Sequence, residues 1–254
     1  MMFLKWAIGL AAGLGTIAGC SALPVHATPE DSVVITDTLF GQNDDTLYVL
    51  RSTRDNLGLH TASRTETWLV GIDAATGEET LWPVGAAVRA TSWDEASKSE
   101  FSTVEHDEGL ERVDPFAILA ENDAISILDL NHMSDDGGTK VEISGDRVRV
   151  GYGSDQFYSA PLETLEVRYR SSVESLAGRV ADYKRMGGLS TRELYRNTVT
   201  DALECAYTRQ GWPRRFAAEG PAYQLVRVSC PPHQFGEGHS LIQLLPQADR
   251  PNRR

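Results

Sequence analysis

Residues 164–183, "TLEVRYRSSVESLAGRVADY", carry two periodicities at once, and the choice between them decides whether the second half of the chain contains a long helix. In TLEVRYR (164–170), Leu165, Val167 and Tyr169 alternate with Glu166, Arg168 and Arg170, the period of a half-exposed strand. Leu165, Tyr169, Val173, Leu176, Val180 and Tyr183 also recur at steps of 4, 4, 3, 4 and 3, the stripe of a helix. Ser171 and Glu174 have the spacing of a capping box, in which a hydroxyl and a carboxylate satisfy the free N–H groups that open a helix. This box predicts a strand over 164–170 and a helix from about residue 172. Gly187-Gly188 would end that helix, because glycine tolerates the left-handed conformation found there.

Working outward, a second capping box, Ser190 with Glu193, predicts a helix running to about Arg209, with Leu194, Thr198, Ala202 and Ala206 on one stripe. "AYQLVRVSC" (222–230) and "SLIQLLP" (240–246) then read as a terminal hairpin around "PPHQFGEGH" (231–239). Upstream, "AISILDL" (124–130), "KVEIS" (140–144) and "RVRVGY" (147–152) read as strands, the last two joined by a turn at Ser144-Gly145-Asp146. A short helix over "DPFAILAEN" (114–122) follows from Asp114 as a cap and Pro115 at a first helical position that needs no N–H.

The first half is β-rich. "SVVITDTLF" (32–40), "DTLYVLRS" (45–52), "TETWLVGID" (65–73) and "EETLWPV" (78–84) are short runs of strand-forming residues between turn clusters. In the third, Trp68, Val70 and Ile72 share one side; Thr67, Leu69 and Gly71 share the other. Four such runs resemble one blade of a β-propeller, but no second copy of the pattern follows, so a four-stranded meander is expected. The fold class is therefore α+β: an antiparallel meander first, then mixed strands with a helix pair and a terminal hairpin. The expected divisions are a leader over 1–27, a β-rich region over 28–93, an acidic linker or surface loop over 94–112, an α+β region over 113–246 and a frayed tail over 247–254.

The leader, MMFLKWAIGLAAGLGTIAGCSALPVHA, has an early Lys5, an apolar stretch from Trp6 to about Ala18 and small residues at its end, the layout of an export signal. It is too short and too rich in glycine to span a bilayer, which takes about 20 apolar residues. Two processing outcomes fit. Ile17-Ala18-Gly19-Cys20 resembles the lipoprotein box, in which signal residues 1–19 are removed and Cys20 is acylated; Val25-His26-Ala27 resembles a small-x-small cleavage site. Lipidation of Cys20 is preferred. Either outcome leaves Cys205 and Cys230, which an oxidising compartment would join in one disulfide.

Charge is uneven. Residues 28–146 hold 25 acidic and 7 basic side chains, net −18, whereas 147–254 hold 11 acidic and 16 basic, net +5. The acidic total argues against nucleic acid as a partner, and the absence of a later long apolar run leaves a lipid anchor as the expected membrane contact. Cys230, His233, Glu237 and His239 offer ligand types that zinc accepts, but in no recognised spacing; Asp129, Asn131 and Asp135 fail as a calcium loop because Met133 and Ser134 occupy the wrong places. Glu105-His106-Asp107-Glu108 reads as a solvated charge run. No metal or cofactor is expected.

Phosphate-binding and nucleophile-elbow motifs are missing, although Ser154 with His132 or His239 has the residue types of a dispersed triad. Trp68, Trp82 and Trp93 offer aromatic surface for a groove, and Arg168, Arg170, Arg214 and Arg215 offer cations for an anionic polymer. With no catalytic residue singled out, the expectation is a non-catalytic binding or interaction lipoprotein on the periplasmic side of a bacterial envelope, tethered through Cys20. The alternative is a secreted or periplasmic hydrolase with dispersed catalytic residues.

Overall fold

The structure is a computed structural model, described over residues 32–107, 112–127, 141–152, 156–183, 188–197, 205–210, 223–230 and 239–246. The meander forms as the alternation requires. Strands β1 (Val33–Gln42), β2 (Thr46–Asp55), β3 (Ala62–Asp73) and β4 (Glu79–Asp94) pair antiparallel in chain order. Side chains make the turns: Asn43 Oδ1 accepts the N–H groups of Asp45 and Thr46, and Asp73 Oδ1 accepts those of Ala75 and Thr76. Gly77 closes the second turn at φ +75°, and a Cβ there would stand 2.7 Å from the Arg168 guanidinium. The left-handed backbone selects glycine, and any larger residue would also displace the Arg168 guanidinium.

Residues of the expected linker extend this sheet. Ser99–His106 form β5, paired with the far end of β4 from Ala87↔His106 to Asp94↔Ser99, and the linker assignment is corrected there. The acidic side chains masked the strand: all of β5 is exposed, so no apolar alternation marks it. Helix α1 (Pro115–Glu121) starts as predicted, with Asp114 Oδ1 accepting the Phe116 N–H at 2.9 Å, and β6 (Ile125–Ser126) pairs with β1.

A smaller antiparallel sheet follows, β7 (Val141–Ser144), β8 (Arg147–Tyr152) and β9 (Gln156–Pro161). Helix α2 begins at Leu162 and runs to Ala177, which overturns the strand expected over 164–170. Leu165, Tyr169, Val173 and Leu176 are buried, whereas Val167, which a strand would have placed beside Leu165, is 58% exposed. Burial thus follows the helical stripe. The Ser171–Glu174 spacing lies inside the helix rather than at its start; the N–H of Leu162 is met instead by the Asp146 carbonyl in the β7–β8 turn.

Helix α2 stops at Gly178, well before Gly187-Gly188. The departing chain is tied to β3, with the Ala181 N–H donating to Glu66 Oε1 and the Arg64 guanidinium lying 4.9 Å over the Tyr183 ring. Helix α3 (Thr191–Asn197) opens with the expected capping box: Glu193 N–H donates to Ser190 Oγ, and Ser190 N–H to Glu193 Oε2. It does not continue to Arg209, because Ala206–Arg209 form β10, paired with β11 (Tyr223–Cys230), which pairs in turn with β12 (His239–Pro246). The terminal hairpin is as predicted. Residues 1–31 and 247–254 lie outside the described residues.

Strand β12 runs parallel to β1, meeting it at Thr36↔Ser240, so the large sheet has the order β10-β11-β12-β1-β2-β3-β4-β5 with β6 beside β1. Strands from the β-rich and α+β regions therefore share one sheet. Its two faces are unequal. On one, Ile35, Leu47, Val49, Trp68, Val70, Val228 and Leu241 pack with Val148, Val150 and Tyr158 of the small sheet and with Leu165, Tyr169 and Val173 of α2. On the other, Leu119 of α1 covers Phe40, Tyr48 and Leu69.

Cys205 and Cys230 are joined by a disulfide, at the junction where β10 meets the end of β11. It anchors a short strand at the sheet margin. Replacing both by serine is expected to cost about 3 kcal/mol, because the unfolded chain regains the freedom of a loop of roughly 25 residues. Urea denaturation of the oxidised protein and the double variant would measure this; equal midpoints would show that the link contributes nothing.

Candidate functional site

The alternation that builds the core places charge inside it. Along β1 the inward phase reads Val33, Ile35, Asp37, Leu39; along β2 it reads Leu47, Val49, Arg51. Asp37 and Arg51 stand directly opposite in the register, and both are buried, Arg51 at 1% exposure. The guanidinium grips Asp37 through Nε–Oδ1 (2.7 Å) and Nη2–Oδ2 (2.9 Å), and Glu79 of β4 through Nη1–Oε2 (2.7 Å) and Nη2–Oε1 (3.0 Å). Ser172 of α2 donates to Glu79 Oε1 at 2.7 Å, and the Ile242 N–H of β12 donates to Asp37 Oδ2 at 3.1 Å. Arg227 of β11 donates to the Asp37 backbone carbonyl and to Gln210.

Burial by itself would lower the Arg51 pKa, but attraction to Asp37 and Glu79 outweighs it and raises the value above its ordinary level. Arg227 has no such pair of carboxylates: burial lowers its pKa, opposed only by Asp37. A second charged cluster lies toward the other end of the same face, where Arg64 binds Glu66 (2.7 Å) and Asp107 (2.8 Å). Every cation in these clusters is already engaged by protein oxygen.

Removing Arg51 would leave Asp37 and Glu79 facing each other without a cation. Arg51→Met is therefore expected to destabilise by about 3–5 kcal/mol, and replacing all three by Leu, Met and Leu to recover part of that loss. Denaturant midpoints of the single and triple variants would test it. A single variant as stable as the wild type would contradict the network.

The remaining candidates are scattered by the fold. Cys230 is spent in the disulfide, and its strand neighbour His239 is buried beside Tyr169, ring centroids 6.5 Å apart; His233 and Glu237 lie outside the described residues. Glu105 and His106 project from opposite faces of β5, while Asp107 binds Arg64. Among the described residues no group of three metal-binding side chains converges. Ser154, His132, Asp129, Asn131, Asp135, Arg214 and Arg215 fall outside them. Arg168 is bound to the carbonyls of Leu244 and Thr76. The three tryptophans do not form a groove: Trp68 is in the core, Trp82 packs beside Tyr48 over the α1 face, and Trp93 is 55% exposed far along β4.

What stands open is the β4–β5 ribbon. Trp93, Phe101 (48% exposed) and Val104 (55%) are exposed large apolar side chains gathered on one hairpin. The cue in the sequence was "FSTV" (101–104), a β-branched and aromatic run inside an acidic segment. The buried network also had a cue: oppositely charged Asp37 and Arg51, each in the apolar phase of a neighbouring strand.

Compared with protein-family models, with curated proteins and with solved structures, the chain matches none. Among the described residues no helix is long and apolar enough to cross a membrane.

Desolvation lowers the His239 pKa from 6.5 to about 4. In the unfolded chain the imidazole takes up its proton near pH 6.5, whereas in the fold it stays neutral until about pH 4. Its contribution is complete above pH 6.5 and is lost as the pH falls toward 4, by up to about 3 kcal/mol. Comparing denaturation of wild type and His239→Gln at pH 7 and pH 4.5 should show the wild type losing more; parallel losses would refute it.

Proposed function

We infer that the chain is an exported cell-envelope protein, tethered through acylated Cys20, that works by non-covalent binding rather than by catalysis. The disulfide between Cys205 and Cys230 carries the compartment: such links persist outside the reducing cytosol, and a leader of export layout precedes the β-rich region. Support for binding comes from how the charged side chains are used. Asp37, Arg51, Glu79 and Ser172, which bring acid, base and hydroxyl together, are enclosed and bonded to one another. Their chemistry is consumed in holding strands and helix together. The exposed features are instead a ribbon with apolar side chains and a strongly acidic first half, properties of a surface that meets a partner.

The tether is tested by mass spectrometry of the mature protein recovered from membranes. A diacylated or triacylated N-terminal Cys20 is expected, and Cys20→Ala should move the protein from the membrane to the soluble fraction. A mature chain starting at Thr28 would refute the tether, and one retaining Met1 in the cytosol would refute export.

A further inference from the structure

Strand β5 closes one margin of the large sheet, and all eight of its residues are exposed. Strand β3 stops pairing with β4 at Ala62↔Ala90, followed by one bond from the Thr91 N–H to the Thr61 carbonyl. Beyond that point β4 and β5 continue alone to Asp94↔Ser99 as a two-stranded ribbon. A ribbon of two strands is only marginally stable in water and gains from a third.

The phase of the ladder follows from two bonds. The Asp107 N–H donates to the Ala86 carbonyl at 3.0 Å, and the Thr91 N–H points the other way, to Thr61. In an antiparallel pair the inward-bonded residues alternate, so residues 99, 101, 103 and 105 bond to β4. Glu100, Ser102, Val104 and His106 turn their N–H and C=O groups outward, and among the described residues no backbone partner meets them. Glu100 and Val104 share a face with Trp93; Phe101 and Glu105 share the opposite one.

Charge selects the occupant. Lys98 is held by Glu95, and Asp107 by Arg64, while Glu100 and Glu105 form no ion pair among the described residues. Two copies of this edge would bring like charges together, which is how edge strands are kept from pairing with themselves. Resting on the binding function inferred above, we propose that β5 is a docking strand: an extended segment of a partner protein adds beside it as the next strand. That segment carries lysine or arginine opposite Glu100 and Glu105, with β-branched residues between them. Main-chain bonds to Glu100, Ser102, Val104 and His106 supply the affinity, and the two carboxylates supply the choice of partner.

The probes are the capped peptides KVTTVK and EVTTVE, titrated into the ¹⁵N-labelled mature protein with its disulfide intact. KVTTVK should shift the amides of residues 100–106 and slow their hydrogen exchange, with EVTTVE binding about ten-fold more weakly. The double variant E100K/E105K should reverse that order. Val104→Pro removes one outward N–H without touching the bonds to β4, and should weaken KVTTVK about five-fold. KVTTVK with alternate N-methyl groups makes the same deletion from the peptide side, so the outcome does not hang on the variant folding. Equal binding of both peptides, shifts mapped away from β5, or undiminished binding of the N-methylated peptide would each overturn the proposal. So would concentration-dependent pairing of β5 with a second copy. Any of these would leave the N-terminal acylation result untouched, so the docking strand and the envelope assignment fail separately.

Discussion

The Arg51 guanidinium sits between two carboxylates inside the core, and β1, β2, β4, β12 and α2 all bond to this one ionic group. A buried cation is expensive unless its N–H groups are met, and here Asp37 and Glu79 each receive two of them. Three strands of the meander are thereby fixed relative to one another. The same carboxylates then accept from Ser172 on α2 and Ile242 on β12, so the later part of the chain docks onto the meander through the same charges. Such a network contributes little net stability, yet it penalises any register that separates its members.

The two faces of the sheet show different solutions to covering apolar surface. One is buried by a helix and a second sheet, with Leu165, Tyr169 and Val173 lying across Trp68 and Val70. The other is covered by a helix of only seven residues, whose Leu119 reaches Phe40, Tyr48 and Leu69 near the start of the meander. Strand β4 is sixteen residues long and outruns both covers, so Ser92 and Trp93 near its end are exposed and β5 faces water on both sides. The exposed ribbon is thus a consequence of unequal lengths, and its acidic residues keep it soluble.

The C-terminal strands illustrate how a covalent link and a sheet margin cooperate. Strand β10 has four residues and, among the described residues, pairs in the sheet with β11 alone, too few ladder bonds to hold it firmly. The disulfide between Cys205 and Cys230 secures it at one end, and Gln210 is bound to Arg227 at the other. Arg227 in turn donates to the Asp37 carbonyl, which returns the margin to the central ionic group.

Local chemistry was legible wherever it was short-range. The four meander strands, the Asp114-Pro115 helix start, the Ser190–Glu193 capping box and the terminal hairpin follow from alternation, turn residues and caps close together in the chain, and the Cys205–Cys230 pairing follows from these being the two cysteines beyond the leader. Residues 164–170 fit two periods equally well, and only the presence of a sheet beneath Leu165 and Tyr169, with water over Val167, selects the helix. Strand β5 was hidden because an edge exposed on both faces needs no apolar pattern. The same holds for Arg51: Glu79 lies 28 residues along the chain from it and the donor Ser172 a further 93 beyond Glu79, and they are brought together by packing alone. Periodicity reports which side of an element is buried; what lies against that side is decided in three dimensions.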